Sequence, residues 1–184
     1  MLHHFTPLRL PPFASLRHLE GTGNFAVSKY YRFPYNFFYR HKLRMILNLI
    51  PKGQIYHNIL DFGAGSGIFE PELKRHAIFV KRFDTNDIID KRWKFDAIVC
   101  ASVLEFCQLP HTIGLLHSLL KPGGKLYVAS PMETTLTKLY FKWIKDINKR
   151  NSHAKILSDI SKQFRIEEYH SWMNLYFALR ASRN

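Results

Sequence analysis

Asp61, Gly63, Gly65 and Gly67 stand on alternate positions of ILDFGAGSGIFE, residues 59–70, and carry the clearest chemistry in the sequence. The stretch reads as a strand running into a glycine-rich turn and then a helix. Three glycines strip side chains from one turn, so a ligand can lie against backbone N–H groups at the start of the following helix. The acid two residues before Gly63 falls at the carboxyl end of the strand, where open α/β sheets bind ligands. The dinucleotide fingerprint G-x-G-x-x-G fails, because its sixth position counted from Gly63 is Ile68. The phosphate loop G-x-x-x-x-G-K-[ST] fails too, because no Lys-Ser or Lys-Thr follows. A carboxylate at Asp61 repels a pyrophosphate and attracts an ammonium. The pattern D-x-G-x-G-x-G therefore suits a ligand with an amine and a neutral adenosine. The competing reading is a strand-to-helix turn that binds nothing.

This turn resembles motif I of the class I S-adenosylmethionine-dependent methyltransferases. Three more segments fit in order, so that the resemblance covers roughly residues 55–131. Asp84 ends the run that begins Ala77-Ile78-Phe79-Val80, where the family places an acid that takes both ribose hydroxyls. Two carboxylate oxygens match two vicinal donors. FDAIVCASVLEF, residues 95–106, is apolar, β-rich and ends in small residues, like the family's fourth strand. LLHSLLKPGGKLYVASP gives a helix, a Lys-Pro-Gly-Gly turn and a strand, similar to the family's L-K-P-G-G-x-L segment. The resemblance implies S-adenosyl-L-methionine as cofactor. It also implies Asp61, Phe62, Gly63, Ala64, Gly65, Gly67, Asp84, Thr85, Asp87, Ala101 and Ser102 as the residues that bind it. Asp84 and Asp87 both remain candidates for the ribose acid.

Two features depart from the family pattern. Asp84 and Asp96 are only twelve positions apart. A helix and a strand do not both fit in TNDIIDKRWKF, since such a unit needs at least ~10–12 residues plus turns. The third-strand unit is therefore expected to be reduced or missing, and with it the usual adenine contact, for which Asp87 or Ile88 can substitute. The family's Glu-His pair after the fourth strand is Glu105-Phe106 here, so no role of that histidine carries over. Glu105 and His111 are the nearest candidates for a general base by family geometry, and neither is assigned. Catalytic residues stay unknown.

The chain has 184 residues, enough for one compact domain with a core. Residues 1–24 hold Pro7, Pro11, Pro12, Gly21 and Gly23 and read as a loosely ordered N-terminus, with 25–184 as a single methyltransferase-like domain. The N-terminal stretch has some features of an organelle transit peptide, against the simpler reading of an ordinary floppy terminus. No apolar run is long enough to span a membrane. Cys100 and Cys107 match no metal or redox spacing and suit reduced thiols. The ten histidines are scattered, and no metal site is expected. These features place the protein in the cytoplasm, with a membrane-peripheral position left open. The net charge of +13 implies attraction to polyanions or anionic surfaces.

Two basic-aromatic segments carry much of that charge. In KYYRFPYNFFYRHKLR, residues 29–44, a helix is expected after Pro34, with Leu43, Ile46, Leu47 and Ile50 on one face. Three readings stay open: a helix packed on the sheet, a lid using Tyr30, Tyr31 and Tyr35 with Arg32 or Arg40 on the methionine carboxylate, or a surface for anionic lipid or nucleic acid. In TTLTKLYFKWIKDINKR, residues 134–150, Leu136, Leu139, Tyr140, Trp143, Ile144 and Ile147 make one helical face. Lys138, Lys142, Lys145, Lys149 and Arg150 lie elsewhere around it. This second helix suits core packing, a substrate-covering insertion or a membrane surface. The last segment, FRIEEYHSWMNLYFALRAS, reads as two strands near 164–170 and 174–181 with a tight reversal.

The expected fold is α/β: a Rossmann-like, mostly parallel sheet, helices on both faces and an antiparallel C-terminal hairpin. The expected function is methyl transfer to an unidentified acceptor, amphiphilic or anionic. A non-catalytic adenosylmethionine-binding module and a basic nucleic-acid-binding protein are the alternatives. Against the latter, Ala101-Ser102-Val103-Leu104 stands where nucleic-acid amino-methylating enzymes carry N/D-P-P-Y/F.

Overall fold

The computed structural model describes residues 35–65, 67, 69–84, 89–90, 92–143 and 150–183. The expectations for residues 1–24, Tyr30, Tyr31 and Arg32, and for Thr85, Asp87, Ile88, Ile144, Lys145, Ile147 and Lys149, lie outside these. The side chains of Tyr35, Tyr140 and Trp143 do as well.

The described strands are β1 (Tyr56–Phe62), β2 (Ala77–Phe83), β3 (Phe95–Ala101), β4 (Leu120–Pro131), β5 (Phe164–Trp172) and β6 (Tyr176–Arg183). They form one sheet in the order β2-β1-β3-β4-β6-β5. The pairs β1–β2, β1–β3 and β3–β4 are parallel; β6 runs antiparallel to both β4 and β5. The expected mostly parallel sheet with a C-terminal hairpin is therefore present. Among the described residues no strand lies between β2 and β3, and β2 forms the sheet edge.

The described helices are α1 (Tyr35–Leu49), α2 (Glu70–Leu73), α3 (Leu109–Leu119), α4 (Thr135–Trp143) and α5 (His153–Ser161), with a 3-10 turn at Leu104–Phe106. Alternation along the strands sends side chains to two cores. On one face, Leu60, Ile98, Leu126, Val128, Phe177 and Leu179 meet Ile113 and Leu116 of α3 and Ile156 and Ile160 of α5. On the other, Ile59, Ala97, Val99, Tyr127 and Ala178 meet Leu43, Ile46 and Leu49 of α1. The central strand β3 is buried on both faces, which is why it reads as a continuous apolar run. The first basic-aromatic segment thus yields a helix packed on the sheet, as one of its readings held, and Arg40 is exposed.

Four local expectations need correcting. The helix after the glycine turn is a single turn, Glu70–Leu73, because only seven residues separate Phe69 from β2. It contributes little dipole to a ligand. The Lys-Pro-Gly-Gly turn does not precede a strand but sits inside β4. Leu120 already pairs with Phe95, and pairing resumes only at Ala97–Lys125, so residues 121–124 bulge outward. Helix α5 was not foreseen. It is capped by Ser152, whose Oγ accepts the Lys155 N–H at 3.2 Å, and it is anchored by Ile156 and Ile160. Finally, Leu136 and Leu139 of α4 face outward rather than into the core.

Candidate functional site

The strand order of the parallel half of the sheet reverses at β1, with β2 on one side of it and β3 on the other. The crevice at such a switch point, beyond the carboxyl ends of the strands, is where this architecture holds ligands. Register sets which residues meet there. Phe62 pairs with Phe83 of β2 and with Cys100 of β3, so the glycine turn, Asp84 and Ala101-Ser102 emerge side by side. The N–H groups of Gly63 and Ala64 both donate to the Phe83 carbonyl, at 2.7 and 3.2 Å, which ties the turn to the residue before Asp84. Of the expected cofactor-binding residues, Asp61, Phe62, Gly63, Ala64, Gly65, Gly67, Asp84, Ala101 and Ser102 converge on this edge. Thr85 and Asp87 are outside the described residues.

The glycines do different work. A Cβ on Gly63 would run into the side chain of Val103, so this glycine lets the turn close against the chain leaving β3. A Cβ on Gly65 would meet no atom of the described residues within 4 Å, and its φ is +49°. Gly65 therefore borders open space beside bare backbone, the place a ligand needs. Gly67 is covered by Arg82, which also approaches Glu70 at 3.4 Å.

Asp61 is 2% exposed, and its Oδ2 has no hydrogen-bond partner among the described residues. Burial, then the nearby Glu70, push its carboxyl up to about 7, with Arg82 pulling the other way. A buried carboxylate oxygen without a donor is costly, so a native one marks a place where a donor arrives. An ammonium meets that need. The open cradle at Gly65 and the orphaned oxygen of Asp61 together fit an adenosyl cofactor bearing an amine.

A second polar cluster lies at the same edge. Lys42 of α1 is 5% exposed; its ammonium donates to Ser102 Oγ at 2.6 Å and stands 5.3 Å from the Tyr176 ring centre. Burial brings Lys42 down to about 8, against the support of Glu105 and together with repulsion from Arg150. Ser102 has φ 55°, a left-handed conformation that costs a non-glycine residue on the order of 1 kcal/mol or more. That conformation sits directly after β3, and the Ser102 N–H is held by the Ala129 carbonyl at 2.7 Å. Glu105 is buried, accepts from Ser130 Oγ at 2.8 Å, and is pushed up chiefly by burial. Asn151 closes the turn beneath it, with its N–H on the Glu105 carbonyl at 2.7 Å and its side-chain amide on the Leu104 and Cys107 carbonyls. His111 is exposed on the first turn of α3.

The sequence reading missed Lys42 and the Glu105–Ser130 pair. One signal was available. Lys42, Met45, Ile46 and Leu49 fall at i, i+3, i+4 and i+7, so this lysine stands on an otherwise apolar stripe. Nothing in the spacing of Ser130 marks it as the partner of Glu105. Among the described residues no three His, Cys, Asp or Glu side chains could hold a metal ion.

The comparisons with known proteins agree with this geometry. A family described as a methyltransferase domain matches residues 31–165, and the chain belongs to it. No curated protein matches the sequence. Among solved structures, the N-methyltransferase NodS of Bradyrhizobium japonicum in complex with S-adenosyl-L-homocysteine is similar, with TM-score 0.63 and 16% identity over 92% of this chain and 98% of that one. A possible histamine N-methyltransferase of Thermotoga maritima gives TM-score 0.62 and 18% identity, covering 81% and 90%. Human N-acetylserotonin methyltransferase in complex with S-adenosylmethionine gives 0.60 and 15%, covering 78% of this chain and 52% of that one. The family's chemistry is methyl transfer, and S-adenosyl-L-methionine is its cofactor.

Proposed function

We propose that this protein transfers a methyl group from S-adenosyl-L-methionine to an anionic or amphiphilic acceptor. The buried ammonium of Lys42 carries the acceptor half of this reading. It stands on the carboxyl edge of the sheet, joined to Ser102, next to the crevice where the glycine turn and Asp84 emerge. A cation held by protein rather than water attracts an anionic group far more strongly than a solvated surface lysine does.

When bound, the cofactor supplies a methyl group already activated by its sulfonium. The chain's own residues then have to bind and orient. Asp61, the Gly63–Gly67 turn and Asp84 are the groups that would hold the amine, the adenosine and the ribose. Lys42, kept in place by Ser102, would draw the acceptor's negative group into the crevice. Orientation of this kind lowers the barrier by converting an encounter into a fixed geometry. Glu105, hydrogen-bonded to Ser130 and within electrostatic reach of Lys42, offers a place for a proton should the acceptor release one.

The test is incubation of the protein with methyl-labelled S-adenosylmethionine and separated anionic, neutral and cationic small-molecule fractions. Label should enter an anionic or amphiphilic product, with one S-adenosylhomocysteine formed per product. Tight cofactor binding without turnover on any fraction would instead make the chain a non-catalytic adenosylmethionine-binding module. Transfer confined to cationic acceptors would refute the role given to Lys42.

A further inference from the structure

Helix α4 turns both of its leucines toward solvent. Among its described side chains the buried one is Thr137, 1% exposed, whose hydroxyl bonds the Met132 and Thr134 carbonyls. Its leucines point outward: Leu136 is 50% exposed and Leu139 is 59%. A leucine on a helix that only covers a core turns inward, because its burial is favourable. The orientation is not loose. Thr134 bonds Thr137 by both its N–H and its hydroxyl, at 2.8 and 3.0 Å, and its Oγ1 also reaches the Asn174 carbonyl at 2.9 Å. The Met132 N–H bonds the Leu175 carbonyl, also at 2.9 Å.

Those bonds fix α4 to the turn between β5 and β6. At the tip of that turn stands Met173, 65% exposed, with φ 47°. Two leucines and a methionine thus project from adjoining elements on the carboxyl edge of the sheet. Lys138 and Lys142 are exposed on the same helix, which has no acid in its nine residues. The nearest described acid along the chain is the exposed Glu133, one residue before Thr134. In the sequence, residues 134–150 hold five lysines and arginines against the single Asp146.

We propose that α4 and the β5–β6 turn form a docking face for an anionic phospholipid bilayer, with Leu136, Leu139 and Met173 entering the interface and Lys138 and Lys142 meeting the headgroups. Exposed apolar side chains set among lysines are the combination such an interface selects. Charge complementarity favours the anionic bilayer as occupant, since the whole chain carries 27 lysines and arginines against 14 acids. A nucleic acid would use the lysines but gives three outward aliphatic side chains nothing to enter. Because α4 leaves β4 at its carboxyl end, this face borders the crevice that holds Ser102 and Ser130, and docking would present that crevice to the membrane surface. The proposal does not depend on methyl transfer, as binding to vesicles needs no cofactor.

The experiment is co-sedimentation of the full chain with vesicles of phosphatidylglycerol and phosphatidylcholine, beside pure phosphatidylcholine, at low and high salt. The protein should bind the anionic vesicles in a salt-sensitive way and leave the neutral ones. Leu136→Asp with Leu139→Asp should lower the partition coefficient by roughly tenfold or more. Lys138→Glu with Lys142→Glu should weaken binding and flatten its salt dependence. Both double variants change exposed side chains, and an unaltered cooperative urea-unfolding transition confirms that they remain folded. Absence of binding to anionic vesicles at low salt would overturn the proposal. Full vesicle binding by the leucine variant would overturn it as well, and binding of a single-stranded oligonucleotide by that variant would then assign the charge to a nucleic acid. Vesicle binding with no methyl transfer would count against the function proposed above and not against this face.

Discussion

Asp61→Asn should separate the cost of the site from its use. The folded chain holds the Asp61 carboxyl at about 7, against 3.8 for an ordinary aspartate, mainly because it is buried. An acid whose folded pKa is raised keeps its proton in the native state after the unfolded chain has lost it. Stability without ligand therefore falls as pH rises from about 4 to about 7 and then levels off. Forcing this carboxyl to ionise in place costs the native state roughly 4 kcal/mol by pH 8. Asparagine has nearly the same shape and no such titration. Urea unfolding of both proteins at pH 5 and pH 8 should show the variant gaining on the natural protein by about 2–3 kcal/mol across that interval. Cofactor affinity should move the other way. The ionised carboxylate is the partner of an ammonium, and a hydrogen bond between charged groups is worth about 1.5–3 kcal/mol. Calorimetry at pH 8 should therefore find S-adenosylhomocysteine bound roughly 10- to 100-fold more weakly by the variant. The natural protein's affinity should strengthen as pH climbs through about 7. Equal stability changes in both proteins across the interval, with no difference in affinity, would refute the reasoning.

Four further substitutions probe the crevice. Gly65→Val should abolish S-adenosylhomocysteine binding while the protein still unfolds cooperatively, because the new side chain enters open space at φ +49° and costs on the order of 1–2 kcal/mol of strain. Unchanged affinity in the folded variant would mean that the turn is not the site. Asp84→Ala should weaken cofactor binding by roughly 1.5–3 kcal/mol. A parallel Asp87→Ala titration decides the ribose acid, since loss at Asp87 alone would move the assignment by three residues. Lys42→Met should leave S-adenosylhomocysteine affinity within about twofold yet lower turnover of an anionic acceptor by roughly tenfold or more. Lys42 sits at about 8, so the rate supported by its charge should decline above that pH in the natural protein. The variant should lack that limb of the pH profile, and retention of the limb would remove Lys42 from the account.

The sheet was legible because its strands follow two simple rules. Buried parallel strands such as β3 are continuous apolar runs, and the glycine turn ends β1 at a position fixed by chemistry rather than by propensity. The short interval from Asp84 to Asp96 limits what can fit, and among the described residues no strand lies within it. What the sequence hid depends on neighbours remote along the chain. The Lys-Pro-Gly-Gly segment looks like a free turn until Leu120 is seen paired with Phe95. Lys42 looks like one more basic residue in a basic segment until Ser102, 60 residues away, is seen accepting its hydrogen bond. The outward leucines of α4 were concealed for the opposite reason. Helical periodicity shows that a face is apolar but not which way it turns, and here the hydroxyls of Thr134 and Thr137 settle that.

The central claim is that the crevice beside Gly65 accepts an adenosyl group carrying an amine and refuses a dinucleotide. Equilibrium calorimetry of the purified chain with S-adenosylmethionine, S-adenosylhomocysteine and NAD tests it directly. The account predicts saturable binding of the first two, one molecule per chain, and no measurable binding of NAD. Binding of NAD, or failure of both adenosyl compounds to bind the folded protein, would contradict it.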